Sequence, residues 1–197
     1  MLFRSLGYNS QGGSSIDTQT TVSGGNVAVT SSVPTRTGYS FSSWNSLANG
    51  GGTNYSANAT YPSSGTISGD ATLFAKWTAN SIPISFDSNT ATSGSMSSLT
   101  TVADSAIAIT SNSFSKTGFT FSGWSTTASG SVSYSNNSNI SVVETTTLYA
   151  IWGANTLAIT YNSQGGSAIS SGTTASSGSI SASPGSPTRS EIGRAHV

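Results

Sequence analysis

Apolar and polar residues alternate along this chain in short runs, and the runs are broken by Gly, Pro, Ser and Asn. A period of two is the signature of strands with one face turned inward. In Tyr39-Ser40-Phe41-Ser42-Ser43-Trp44, strict alternation points Tyr39, Phe41 and Ser43 to one side and Ser40, Ser42 and Trp44 to the other, which places Phe41 inside. Thr20-Thr21-Val22 and Asn26-Val27-Ala28-Val29 flank Ser23-Gly24-Gly25, a pattern that predicts a hairpin. Pro34 then ends pairing, and Thr37-Gly38 turns the chain into the aromatic strand. Asn49-Gly50-Gly51-Gly52 reads as a flexible loop, and the Gly69-Asp70 turn leads into a closing strand, Leu73-Phe74-Ala75-Lys76-Trp77. No segment has helical periodicity backed by Leu, Glu, Lys or Arg in number. The fold class is therefore mainly β, with a small α+β fold as the alternative if a turn of helix sits in a variable loop.

The same pattern returns. Gly38-Tyr39-Ser40-Phe41-Ser42-Ser43-Trp44 recurs as Gly118-Phe119-Thr120-Phe121-Ser122-Gly123-Trp124, each preceded by a basic residue and Thr. The closing phrase recurs as Leu148-Tyr149-Ala150-Ile151-Trp152. An opening phrase, Tyr8-Asn9-Ser10-Gln11-Gly12-Gly13, returns as Phe86-Asp87-Ser88-Asn89 in weaker form and as Tyr161-Asn162-Ser163-Gln164-Gly165-Gly166 almost unchanged. The period is roughly 75 residues. It divides the chain into module 1 over 6–80, module 2 over 81–154 and a truncated module 3 over 155–190. The motif residues that define the repeat are Gly38, Tyr39, Phe41, Trp44, Leu73 and Trp77, with Gly118, Phe119, Phe121, Trp124, Leu148 and Trp152 in the second copy. Phe41 and Phe121, Leu73 and Leu148, and Ala75 and Ala150 are expected to be buried equivalently. Module 3 carries Leu157-Ala158-Ile159-Thr160-Tyr161 without an aromatic or closing strand, so it should be ordered only where it meets module 2.

Both ends depart from the repeat. Pro187 follows Tyr161 at the interval by which Pro34 follows Tyr8, yet the register is lost after Arg189. A reverse complement within codons for Glu191-Ile192-Gly193-Arg194-Ala195 encodes Leu-Phe-Arg-Ser, the residues Leu2–Ser5. Residues 1–5 and 191–197 thus read as a sequencing-library adapter translated at both ends, and they are set aside in functional reasoning.

Composition narrows the choices. The 197 residues are only 6% charged, with no net charge, which leaves no basic face for nucleic acid. There is no Cys, so disulfides and thiolate metal sites are excluded. No run of apolar residues is long enough to cross a membrane as a helix. Outside the set-aside ends there is no His, so the many serines lack the usual base for nucleophilic catalysis. The acids Asp17, Asp70, Asp87, Asp104 and Glu144 stand singly and at different repeat positions, unlike a glycosidase pair. Asp87-Ser88-Asn89 reads as an Asx-type turn, since no further carboxylate follows at calcium-loop spacing. The glycine runs at Gly12 and Gly50 lack the Lys of a phosphate loop. No catalytic, cofactor-binding or metal-binding residue is expected, and no cofactor.

The combination of an Asn-x-x-Gly-Gly opening, a Pro-x-Arg/Lys-x-Gly-Tyr-x-Phe-x-Gly-Trp centre and a Leu-Tyr-Ala-x-Trp close resembles the internalin B-type B repeat, also called the Listeria-Bacteroides repeat. The chain departs from it in Ser43 for Gly, in Thr90-Ala91-Thr92 at the second opening, and in its few charges. The resemblance implies small β-grasp-like modules in tandem, at the bacterial cell surface or secreted, with neighbouring repeats as partners. The function so implied is non-enzymatic: a stalk, spacer or adhesive segment. The rival is a module that binds a glycan or host protein through strand edges or through Trp44, Trp77, Trp124 and Trp152, residues that in small modules serve first as packing.

Overall fold

Short β-branched and aromatic runs between glycine turns form fifteen strands in the computed structural model, which describes residues 2–180 and 185–189. The fold is mainly β, and no helix occurs among the described residues. The adapter-like segment 191–197 and residues 181–184 and 190 of the third module lie outside the described residues.

The chain forms two compact units: unit 1 comprises Met1–Ser85, Ser98–Ala108 and Asn139–Thr146, and unit 2 comprises Phe86–Ser97, Ile109–Ser138 and Thr147–Val197. Residues of the second sequence repeat are thus shared between them.

In unit 1 the strands are β1 (Phe3–Asn9), β2 (Gln19–Val22), β3 (Val27–Ala28), β4 (Tyr39–Asn45), β5 (Asn54–Tyr55), β6 (Thr60–Tyr61) and β7 (Ala71–Ala79). Five of them form one sheet in the order β2-β1-β7-β4-β5. β1 and β7, the opening and closing phrases, run parallel, with Tyr8 opposite Leu73. The aromatic strand β4 lies antiparallel to β7. Leu6, Val29, Trp44, Tyr55, Leu73 and Ala75 form the core beneath this sheet, with Tyr8, Phe41 and Trp77 packed at its margin. A module this small leans on such rings for its apolar burial.

The remaining strands are β8 (Ser81–Asp87), β9 (Leu99–Val102), β10 (Ile107–Ala108), β11 (Phe119–Ser125), β12 (Asn139–Ile140), β13 (Thr146–Ala154), β14 (Thr156–Ile159) and β15 (Gly172–Ala175). β8 pairs antiparallel with β9 as β1 does with β2, and β11 pairs antiparallel with β13 as β4 does with β7. In unit 2, Phe86 and Phe121 lie 4.9 Å from Trp124 by ring centroids, where Tyr8 and Phe41 lie 4.7 and 5.2 Å from Trp44 in unit 1. Leu73 and Leu148 are fully buried, and so, within a few per cent, are Ala75 and Ala150.

Three expectations are corrected. The predicted hairpin around Ser23-Gly24-Gly25 keeps its turn, with Gly25 N donating to Val22 O at 3.0 Å, but its arms part: β2 pairs with β1 and β3 with β6. Strict alternation in the aromatic strand fails because Phe41 pairs with Trp77 and Ser43 with Lys76, leaving Ser42 as an extra residue in a bulge. The bulge brings Phe41 and Trp44 into edge contact on one side of the strand, and Phe41 is half-buried while Trp44 takes the centre. The same bulge falls at Ser122. The glycine loop read as flexible is held by buried Asn45, whose Nδ2 donates to Gly50 O and Gly52 O and whose Oδ1 accepts from Leu47 N and Gly52 N.

Residues Phe3–Ser5, set aside above, form the first half of β1 and pair with Thr20–Val22. Backbone pairing is indifferent to side-chain origin; the side chains are not. Arg4 stands where the second copy has buried Ile82, and its Nε is buried without a hydrogen-bond partner.

In unit 2, β14 and β15 form a two-stranded hairpin whose Leu157 and Ile159 remain exposed.

Candidate functional site

Each closing strand is separated from the next opening strand by a single asparagine. Asn80 lies between β7 and β8, and Asn155 between β13 and β14. With so short a connection, that residue's own backbone groups must find partners beside the strand ends.

At Asn80 the partners are fixed by two turns. Tyr39 N donates to Arg36 O at 3.0 Å, closing a turn with Gly38 at φ 78°, and the Gly38 carbonyl then accepts Asn80 N–H at 2.9 Å. The Asn80 carbonyl in turn accepts the N–H of Ala103 at 3.1 Å. Ala103 opens the turn after β9, where Asp104 takes φ 60° and donates its N–H to Val142 O. Ser40 Oγ donates to Asn80 Oδ1 at 2.6 Å. All these residues belong to unit 1. A side chain at Gly38 would not fit, since a Cβ there would lie 2.8 Å from Val143 O and 2.9 Å from Ala103 Cβ.

The arrangement recurs within unit 2. Asn155 N donates to Gly118 O at 2.9 Å, Ser176 N donates to Asn155 O at 2.7 Å, and Thr120 Oγ1 donates to Asn155 Oδ1 at 2.7 Å. Gly118 has φ 79°, and a Cβ on it would lie 2.6 Å from Ser176 Oγ. Two copies of one joint thus tie an aromatic strand, through a one-residue linker, to the hairpin of the following repeat.

The first joint carries an added polar cluster. Tyr39 Oη donates to Asp104 Oδ2 at 2.8 Å, and the Arg36 guanidinium lies 3.9 Å above the Tyr39 ring and 3.8 Å from the same carboxylate. The hydrogen bond to Asp104 is the largest cause that raises the Tyr39 phenol above its ordinary pKa, with desolvation and the carboxylate's charge adding to it and Arg36 opposing. The second joint has Phe119 and Ser177 at these positions, which cannot make that bond.

A second recurring feature is a pocket beside the opening turn. In unit 1 it holds about 410 Å³ between Gln11, Arg36, Asn49, Lys76 and Trp77. In unit 2 a smaller one of about 220 Å³ is lined by Asn89, Lys116, Ser129, Ile151 and Trp152. The turn itself is an Asx turn in each copy: Gln11 N donates to Asn9 Oδ1, and Asn89 N to Asp87 Oδ1. Gln11 Nε2 donates to Ala48 O and Ala75 O, just as Asn89 Nδ2 donates to Ala128 O and Ala150 O. Trp77 Nε1 donates to Ser10 O, and Trp152 Nε1 to Ser88 O.

The motif residues therefore fall in three places. Trp44, Trp124, Leu73 and Leu148 are core, with Phe41 and Phe121 against the tryptophans. Gly38, Gly118 and Tyr39 belong to the joints, and Trp77 and Trp152 wall the pockets, while Phe119 lies under Lys116 Nζ at 4.6 Å. With Trp44 and Trp124 only 1% and 0% exposed, neither offers a face for stacking. Sequence reasoning singled out neither Asn80 nor Asn155, although both close a Trp-x-Ala-Asn phrase. Among the described residues no cluster of acids or His is placed to hold a metal ion, and no helix could cross a membrane.

No curated protein and no solved structure matches the chain. The Listeria-Bacteroides repeat domain matches residues 5–76 and again residues 83–151, the two stretches that carry the aromatic phrases and the closing phrases up to Lys76 and Ile151. Covered over most of its length by these two matches, the chain belongs to the Listeria-Bacteroides repeat domain family, whose repeats are typical of bacterial surface proteins.

Proposed function

We propose that this segment acts as a non-enzymatic spacer on the outside of a bacterial cell, holding a binding region away from the surface. The observation that carries the reading is the twofold occurrence of the asparagine joint, with the same donors and acceptors at Asn80 and Asn155. A flexible tether needs no such device; glycine- and serine-rich linkers serve that purpose without contacts. A spacer does need it, because a repeat array transmits length only if each unit fixes the next. The family is not known as one of enzymes, which accords with a segment whose recurrent features are contacts between repeats.

Small-angle scattering on the full chain tests the reading. Gly118→Ala places a methyl group against Ser176 and should broaden the distribution of molecular dimensions. An unchanged profile would mean that the joint does not constrain the chain, and the spacer reading would fall.

A further inference from the structure

The pockets are unexplained by a spacer. Five cations occur among the described residues, and apart from Arg4 all of them stand at this place in a repeat. Arg36, Lys116 and Arg189 occupy the same repeat position, each beside an opening turn: a Cβ at Gly12 would lie 3.8 Å from Arg36 Nε, and one at Gly165 would lie 3.8 Å from Arg189 Nη2. Lys76 joins Arg36 in the first pocket, its stem running along Gly50, where a Cβ would come within 3.8 Å of Cε. No acid lines either pocket.

The groups left uncommitted define what would fit. Arg36 is shared with Asp104 and Gln11 O, but Lys76 has no acidic partner among the described residues. The Asn49 side chain accepts from Gly51 N through Oδ1, which leaves its Nδ2 free to donate, and Gln11 keeps Oε1 after its amide is spent on Ala48 and Ala75. Trp77 is pinned by its Nε1–H bond to Ser10 O and contributes a half-buried ring to the wall. A carboxylate to meet the cations, hydroxyls to meet the amides and a C–H face to meet the ring are united in a uronic acid residue.

We propose that the pocket formed by Gln11, Arg36, Asn49, Lys76 and Trp77 binds an acidic saccharide through its carboxylate. The inference does not rest on the spacer reading, although Arg36 serves both the joint and the pocket. An acidic protein segment would satisfy the cations but lacks the flat C–H face of a sugar ring that stacks on Trp77. In the second pocket Ile151 replaces Lys76, and Lys116 Nζ is already engaged with Thr90 Oγ1 at 2.6 Å, so that copy binds more weakly. A single shallow site of this kind is weak, and repetition along an array raises the avidity.

The test is a titration of the full chain with oligogalacturonate, its methyl ester and poly(glutamate), followed by NMR at the indole N–H of Trp77 and Trp152. Oligogalacturonate should move Trp77 more than Trp152, and the ester should bind at least several-fold more weakly. Lys76→Gln, at an exposed strand position, should weaken binding about twofold to fivefold, the size of an exposed charge contact, and Lys76→Arg should retain it. Added salt should weaken binding as well. Equal binding of the ester, no movement of Trp77, or an equal response to poly(glutamate) would each overturn the proposal.

Discussion

Tyr39 and Asp104, far apart in sequence and from different repeats, are joined by a 2.8 Å hydrogen bond from phenol to carboxylate in unit 1. Because the bond favours the protonated phenol, Tyr39 titrates above the ordinary value of about 10. A pKa raised on folding contributes stability that is present below the unfolded value and is lost as pH rises through the folded value. The contact should therefore persist through neutral pH and fail only in strong alkali. Ring-resonance NMR should find that Asp104→Asn lowers the pKa of Tyr39; no change would mean that the bond is not made in solution.

Gly38→Ala should destabilise the chain by roughly 1 to 2 kcal/mol from positive φ alone, before any clash is counted. Its Cβ would press on Val143 and Ala103, so the loss should exceed that of Gly24→Ala, where φ is also positive but no atom lies within 4 Å. Thermal unfolding of the two variants makes the comparison, and equal losses would show that Gly38 serves only its own turn.

The aromatic and closing phrases were legible because they obey simple rules. Leu73 and Ala75 alternate inward as a strand should, and so do Leu148 and Ala150. The bulges at Ser42 and Ser122 were not legible, since nothing in a run of small residues marks which one is extra. The parting of β2 and β3 was hidden for another reason. A Gly-Gly turn specifies a reversal, but the strands' partners are chosen by the sheet as a whole, and β1 and β6 compete better for them. The joints depend on carbonyls and amides, which every residue carries, so only the recurrence of asparagine after each closing phrase could have pointed to them.

The weaker opening of the second repeat has a structural cost. Thr90 takes φ 67° where the first copy has Gly12 at 88°. A β-branched residue in that region is strained by about 1 to 3 kcal/mol, partly offset by the lower unfolded-state entropy of Thr relative to Gly. Thr90→Gly should therefore stabilise by about 1 kcal/mol, even though Lys116 loses its hydroxyl partner at an exposed site. Denaturant titration would read the gain, and a loss would mean that the Lys116 contact outweighs the strain.

Arg4 offers a parallel case. Its Nε is buried and unpaired where the second repeat has Ile82, and an unsatisfied buried donor costs about 1 to 3 kcal/mol. Arg4→Ile should raise the unfolding midpoint, as expected if the residue is foreign to the repeat. A lowered midpoint would show that Arg4 earns its place in β1.

Amide hydrogen exchange at Ala103 and Ser176 tests the joints most directly, because these N–H groups bond to Asn80 O and Asn155 O and to no strand partner of their own. If the repeats are held to one another, both amides should be protected well above loop amides such as that of Gly65. Exchange of both at the rate of an unstructured chain would make the asparagine linkers free hinges and contradict the account.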